Sequence, residues 1–186
     1  MKIETSPLAW TVWDGTSSEW NKTIAHFEDV NVYQSAEWAI HKTTSGWSVV
    51  RLVCVDDGVS VITAAQCLYR SGPLSTVVVW VPGGPMGDLA KVTPDFVDLL
   101  KQHLKTNLIY VRIAVMRPFD DVTSRQLSSH KWHKSKTTIG TKSSLVHLLD
   151  AEESIRLTRC STNWKRNLKR STKIQSYPYV WQKPDS

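Results

Sequence analysis

The sequence predicts an α/β (α+β) fold, a mixed and mostly antiparallel sheet flanked by helices. Three observations lead there. Segments of helical period alternate with β-branched runs along most of the chain. Asp56-Asp57-Gly58 joins two β-branched runs through a tight turn, the signature of an antiparallel hairpin. Val77 to Val81 is wholly apolar, as expected of a central strand, and a helix pattern separates it from a further apolar run, Leu108 to Met116.

The elements follow in order. Leu8 to Trp13 reads as a strand closed by Asp14-Gly15. Thr16 or Ser17 can cap a helix to about Phe27, with Trp20, Ile24 and Phe27 on one face. A second helix is expected over Gln34–Trp47. Ser35 suits its N-cap and Gly46 its terminator. Ser48 to Val55 and Val59 to Tyr69 are the two arms of the hairpin. After Val77 to Val81 comes a loop, Pro82-Gly83-Gly84-Pro85-Met86-Gly87-Asp88. Thr93-Pro94 opens a helix with Pro at its first position, and Phe96, Val97, Leu99, Leu100 and Leu104 form its inner stripe. Leu108 to Met116 reads as a buried strand. Asp120 or Asp121 starts a helix to about Ser129, and Trp132 to Ile139 reads as extended. From Ser143 the pattern restarts, with a strand over Ser144 to Leu149, one helix from about Ala151 to Lys173, and a strand over Tyr177 to Gln182. Strand, Asp and helix recur, at Val12-Trp13-Asp14 and at Leu148-Leu149-Asp150. Two domains are therefore expected, 1–140 and 141–186, the second being the opening of another copy.

Composition narrows the function. Apolar residues make up 41% and charged residues 22%, a globular balance. Cys54, Cys67 and Cys160 are odd in number and lack a CxxC pair, which argues against a disulfide framework or a zinc site and for a reducing compartment. The opening MKIETSPLAW lacks the apolar core of a signal peptide, and the longest apolar run is too short to span a bilayer. A cytoplasmic protein is expected. Net charge is +6 and uneven, because Lys165, Arg166, Lys169, Arg170 and Lys173 fall in one run without an acid. Such a run suits phosphate, nucleic acid or a lipid headgroup. Nine Trp can serve both core and binding surface.

Three motifs now stand in order. Tyr33-Gln34-Ser35-x-x-Trp38-x-x-x-Lys42 precedes Gly46-Trp47. Gly83-Gly84-Pro85-Met86-Gly87 follows an apolar strand. Asp150-Ala151-Glu152-Glu153 leads into Trp164-Lys165-Arg166-Asn167-Leu168-Lys169-Arg170 and on to Lys173. Together they resemble FemABX-type peptidyltransferases. The resemblance implies GCN5-related acetyltransferase (GNAT)-like domains, two per protein, with this chain holding the first and the start of the second. It implies transfer of an amino acid from aminoacyl-tRNA to the stem amine of a peptidoglycan precursor, UDP- or lipid-linked. The implied partners are that precursor, tRNA and, peripherally, the inner membrane surface. Acyl-CoA is the alternative co-substrate, as in related proteins, and no tightly bound cofactor is implied. A non-catalytic anion- or RNA-binding module is the alternative of another class. The chain departs from the family pattern after the basic helix, where Ile174-Gln175-Ser176-Tyr177 stands in place of a Gly.

Each candidate residue has a plain structural reading beside the functional one. Trp38 and Lys42 are four apart and share a helix face. The family places a lysine here against the precursor's diphosphate, whereas a solvated helix lysine over a core Trp explains the spacing equally. Lys165 and Lys169 form one row of the basic helix, and Arg166 and Arg170 the next. Like charges at this spacing cost about 0.2–0.5 kcal/mol per pair, a cost that a bound polyanion relieves. Dipole complementarity is the competing explanation. Arg166 is the candidate phosphate fork. Trp164 beside it can stack on a base or sugar, but core packing is the expectation. Gly84 and Pro85 lie in a loop that can line a ligand with backbone N–H groups or simply turn the chain. His130-x-x-His133 lacks further ligands at metal spacing. The early lysine and the late cationic helix are expected to share a diphosphate ligand. The general base is not identified, Asp88 and Asp150 being nearby carboxylates, and no covalent nucleophile is required.

Overall fold

The computed structural model describes residues 9–56, 60–118, 120–137 and 152–171. The chain divides into two compact units, Met1–Lys134 and Ser135–Ser186, and each is described by itself.

Among the described residues the first unit carries a sheet of six strands: β1 (Ala9–Val12), β2 (Ser48–Asp56), β3 (Ser60–Ser71), β4 (Thr76–Gly83), β5 (Met86–Gly87) and β6 (Leu108–Val115). Their order is β1-β2-β3-β4-β6, with β5 pairing β3. All pairs are antiparallel except β4 and β6, which run parallel in continuous register from Thr76↔Leu108 to Gly83↔Val115. Mixed, mostly antiparallel and flanked by helices, the sheet matches the expected class. The turn residues 57–59 lie outside the described residues, but the hairpin they join is present, with Asp56 paired to Ser60.

Local chemistry sets the helices. α1 (Ser17–Ile24) opens on a capping box: Glu19 N donates to Thr16 Oγ1 at 3.2 Å, and Thr16 N donates back to Glu19 Oε2 at 2.7 Å. α2 (Ala36–Thr43) is capped by Ser35, whose Oγ accepts from Trp38 N at 3.2 Å. It is shorter than the expected 34–47 helix, because Val32–Gln34 forms a separate 3-10 turn and Gly46 enters the left-handed region at φ 79°. α3 (Pro94–Leu104) starts on Pro, and α4 (Asp121–Ser129) on Asp120, as expected.

The alternation of the strands then builds two cores. On one face Leu52, Ala65, Cys67, Val77, Val79 and Val81 pack with Phe96 and Leu100 of α3. On the other, Val53, Ala64 and Met86 pack with Trp20, Ile24 and Ala36 from α1 and α2. Each fully buried large side chain contributes about 1.5–3 kcal/mol.

Four further expectations need correction. The loop over 82–88 is partly strand, since β4 runs to Gly83 and β5 returns to β3 through Thr63↔Gly87. β6 is not buried throughout: Leu108 and Tyr110 are exposed, because only its other face meets α3. Trp132–Ile139 is not a strand over its described part, 132–137. Trp132 instead donates its indole N–H to Val92 O at 2.8 Å.

The fourth correction is in the second unit, where the single long helix is broken. α5 (Glu153–Arg159) ends at Cys160, whose backbone is extended, and α6 (Thr162–Ser171) restarts with Trp164 N donating to Ser161 Oγ at 3.3 Å. A serine cap following an extended residue interrupts the run of good helix formers. The expected strands at 144–149 and 177–182, with the second half of the internal echo, lie outside the described residues.

Candidate functional site

Helix α2 presents its C-terminal turn with Trp38 and Lys42 stacked. Lys42 Nζ lies 4.7 Å from the Trp38 ring centroid. Tyr33 meets the same indole edge-on at 4.9 Å, and His41 lies at 5.5 Å. A cation over an indole at an exposed site is worth about 0.5–1 kcal/mol, enough to bias the lysine rotamer without consuming its N–H donors. Among the described residues Lys42 Nζ has no hydrogen-bond or ion-pair partner. Trp38 is half-buried rather than core, and its indole N–H is buried without an acceptor among the described residues. A cation held in this way can meet an anion.

What fixes α2 in place is a pair of glutamines that sequence reading used only as letters of a motif, or not at all. Gln34 is fully buried, and its Nε2 donates to Pro82 O at 2.7 Å and Gln66 O at 3.3 Å, while its Oε1 accepts from Gln66 N at 2.7 Å. Gln66 Nε2 donates in turn to Ser35 O at 2.7 Å, and Gln66 Oε1 accepts from Arg51 Nε at 3.0 Å. The legible signal was Gln66 itself, a lone amide in the apolar run Ala64-Ala65-Gln66-Cys67-Leu68. Arg51 lies over the Trp20 ring; burial lowers its pKa and nearby Glu37 opposes that shift.

The glycine–proline segment is occupied from within. Gly84 and Pro85 are buried and joined by a cis peptide bond. A Cβ at Gly84 would lie 2.8 Å from Gln34 Cδ, so glycine is needed here for side-chain approach. Gly84 N faces Val81 O at 3.4 Å, Gly84 O accepts from Ala114 N at 3.2 Å, and Asn31 Nδ2 reaches Gly83 O at 2.7 Å. The geometry here is that of a braced turn.

Beyond it, Asp29 and Arg117 pair at 2.9 Å, the aspartate only 9% exposed. Asp29 Oδ1 accepts from Gly87 N at 3.1 Å, and Arg117 Nη2 donates to Gly87 O. This clamp borders a cleft of about 580 Å³ lined also by His26, Glu28 and Met116. Asp88 is exposed, and its carboxylate accepts from Ala90 N at 3.0 Å as a cap. Asp150 lies outside the described residues. Burial pushes the Cys67 thiol up, and Cys54 likewise, so neither is an activated nucleophile. Among the described residues no His, Cys, Asp and Glu cluster could hold a metal ion.

In the second unit α6 carries Lys165, Arg166, Lys169 and Arg170, all exposed; Lys173 lies outside the described residues. Lys165 Nζ folds back to Thr158 O at 3.0 Å, capping the end of α5. Arg166 Nη2 donates to Asn163 Oδ1. Trp164 is 52% exposed, against the expectation of core packing.

Comparison with known proteins agrees with the motifs. Among curated proteins none matches the chain. A solved structure titled FemX aligns at 20% identity with a TM-score of 0.53, covering 64% of this chain and 31% of that one, a likeness of fold. An acetyltransferase from Trypanosoma brucei aligns at 9% identity with a TM-score of 0.42, covering 73% of this chain and 99% of that one. The chain thus spans 31% of the FemX chain. The model of the FemAB family matches residues 16–173, most of the length, and this chain belongs to that family.

Proposed function

We propose that the chain is the acceptor-binding part of an aminoacyltransferase that extends the peptide stem of a peptidoglycan precursor. The observation that carries the reading is Lys42, held over Trp38 at 4.7 Å with its donors unused, in a chain of the FemAB family. Lys42 would meet the precursor's diphosphate as a point charge, and Trp38 beneath it would hold that charge in place. Arg166, Lys165 and Lys169 on α6 would offer positive charge to an anionic group in their own right. Gly84 and Pro85 would act indirectly, by bracing Gln34 under α2.

The reaction joins the stem amine to the aminoacyl carbonyl. The amine nitrogen attacks that carbon, the new C–N bond forms, and the ester C–O bond breaks. The amine proton ends on the released ribose hydroxyl. Aminoacyl-tRNA is the donor of this reading, which places the protein in the cytoplasm. Among the described residues no helix is long and apolar enough to cross a membrane. Acyl-CoA is the weaker donor reading: β4 and β6 stay paired to their ends, and the glycine–proline turn spends its N–H groups on the protein itself.

Calorimetric titration of the chain with a UDP-linked muropeptide tests the reading. Saturable binding that Lys42→Ala weakens supports it. Binding of acyl-CoA with no response to the muropeptide refutes it.

A further inference from the structure

Helix α2 ends in a turn that holds a second cation one hydrogen-bonded turn from Lys42. Lys42 O accepts from Ser45 N at 3.0 Å and from Trp47 N at 3.3 Å. The next carbonyls, Ser45 O and Gly46 O, accept from Arg70 Nη2 and, at 3.1 Å, from Arg70 Nε. Arg70 lies on β3, and its guanidinium stands 4.5 Å from the Trp47 ring centroid. Trp47 is itself backed by Trp80, with ring centroids 6.0 Å apart. Two carbonyls and an indole thus fix the plane of the guanidinium, although Arg70 is an exposed residue. Among the described residues Arg70 Nη1 has no hydrogen-bond partner, and neither Arg70 nor Lys42 has an ion-pair partner. The sequence has no Asp or Glu between Glu37 and Asp56, and β3 has none. The end of α2 therefore joins two cations, one of them a pre-set plane.

We propose that the Trp47–Arg70 stack seats the base of a nucleoside diphosphate whose phosphates meet Lys42. A planar base stacks on a guanidinium held flat, as it does on an aromatic ring. The two cations divide the ligand by their shapes: the lysine point charge suits the phosphates, and the planar arginine suits the ring. The spare Nη1 can donate to the sugar beside the base. A lipid-linked diphosphate carries no ring to lay on this plane. The inference deepens the acceptor reading by selecting a nucleotide-linked precursor over a lipid-linked one, and rests on that reading only for what the nucleotide carries.

The test is calorimetric titration of the full chain with UDP, inorganic diphosphate and a UDP-linked muropeptide. UDP should bind saturably and about 2- to 30-fold tighter than inorganic diphosphate. Arg70→Lys keeps the charge and loses the plane, so it should bring UDP down to the affinity of inorganic diphosphate and leave the latter little changed. Lys42→Ala should weaken both. Circular dichroism confirms that each variant is folded, and the comparison of the two ligands on the parent chain needs no variant. Absent UDP binding, equal affinity of the parent chain for UDP and inorganic diphosphate, or an undiminished preference for UDP in folded Arg70→Lys overturns the proposal. Muropeptide binding without a preference for UDP over inorganic diphosphate sinks this inference alone. The expected UDP pattern, with a muropeptide that binds no tighter than UDP, sinks the acceptor reading alone.

Discussion

The side-chain amide of Gln34 stands in for a strand residue against Gln66. It accepts from Gln66 N at 2.7 Å and donates to Gln66 O at 3.3 Å, between the stretch of β3 paired to β4 and the stretch paired to β5. Its Nε2 also reaches Pro82 O. Gln34→Ala leaves three buried backbone groups unanswered, and a loss of about 2–4 kcal/mol is expected in urea unfolding. Gln34→Glu keeps the acceptor and loses the donor, so it should also destabilise, through Pro82 O. Neutral behaviour of both variants would show that β3 and β4 are held apart by something else.

Acid should weaken the first helix. Thr16 N–H, then the Thr16 hydroxyl, hold the Glu19 carboxylate below its ordinary pKa, with a lesser pull from Lys22. A depressed carboxylate adds stability that is present above the unfolded value of 4.5 and fades as pH falls through the folded one. Urea midpoints followed below pH 4.5 should therefore fall less steeply in Glu19→Gln than in the parent chain. Parallel curves would remove the capping box from the account.

Thiol titration has the opposite sign. Burial pushes Cys67 up, and it pushes Cys54 up with help from Asp88 and Asp56 against Lys91. Raised thiols contribute stability that is complete below the unfolded value of 9.0 and is lost as pH rises above it. Native protein should leave both thiols unmodified by a disulfide reagent at neutral pH, and modification should appear with unfolding. Rapid labelling of Cys67 in folded protein would contradict the buried placement.

On α6, Lys165 and Arg166 should separate. Lys165→Ala removes a bond to the last turn of α5 and should lower helicity slightly, whereas Arg166→Ala should weaken muropeptide binding with little change in circular dichroism. The reverse pattern would make Arg166 structural.

Much of this was legible in the chain. Ser35, Gly46, Thr93-Pro94 and the 56–58 turn placed their elements because caps and turns act locally. Trp38 and Lys42 declared their shared face by spacing alone. Gln34 and Gln66 were opaque because their partners lie far off in sequence, and no local pattern shows that an amide will replace a strand bond. The break at Cys160 was missed because helix formers on both sides outweighed one serine cap. Gly84 stayed open between a ligand loop and a plain turn because a glycine opened for a buried side chain looks, in sequence, like one opened for a phosphate.

The central claim is that Lys42 is an anion-binding cation held ready by Trp38, and titration of Lys42 variants with a UDP-linked muropeptide tests it most directly. The account predicts that Lys42→Ala raises Kd roughly 10- to 150-fold, that Lys42→Arg recovers part of the loss, and that neither changes the unfolding midpoint much. A Kd unchanged in Lys42→Ala, with the parent chain binding the muropeptide saturably, would contradict it.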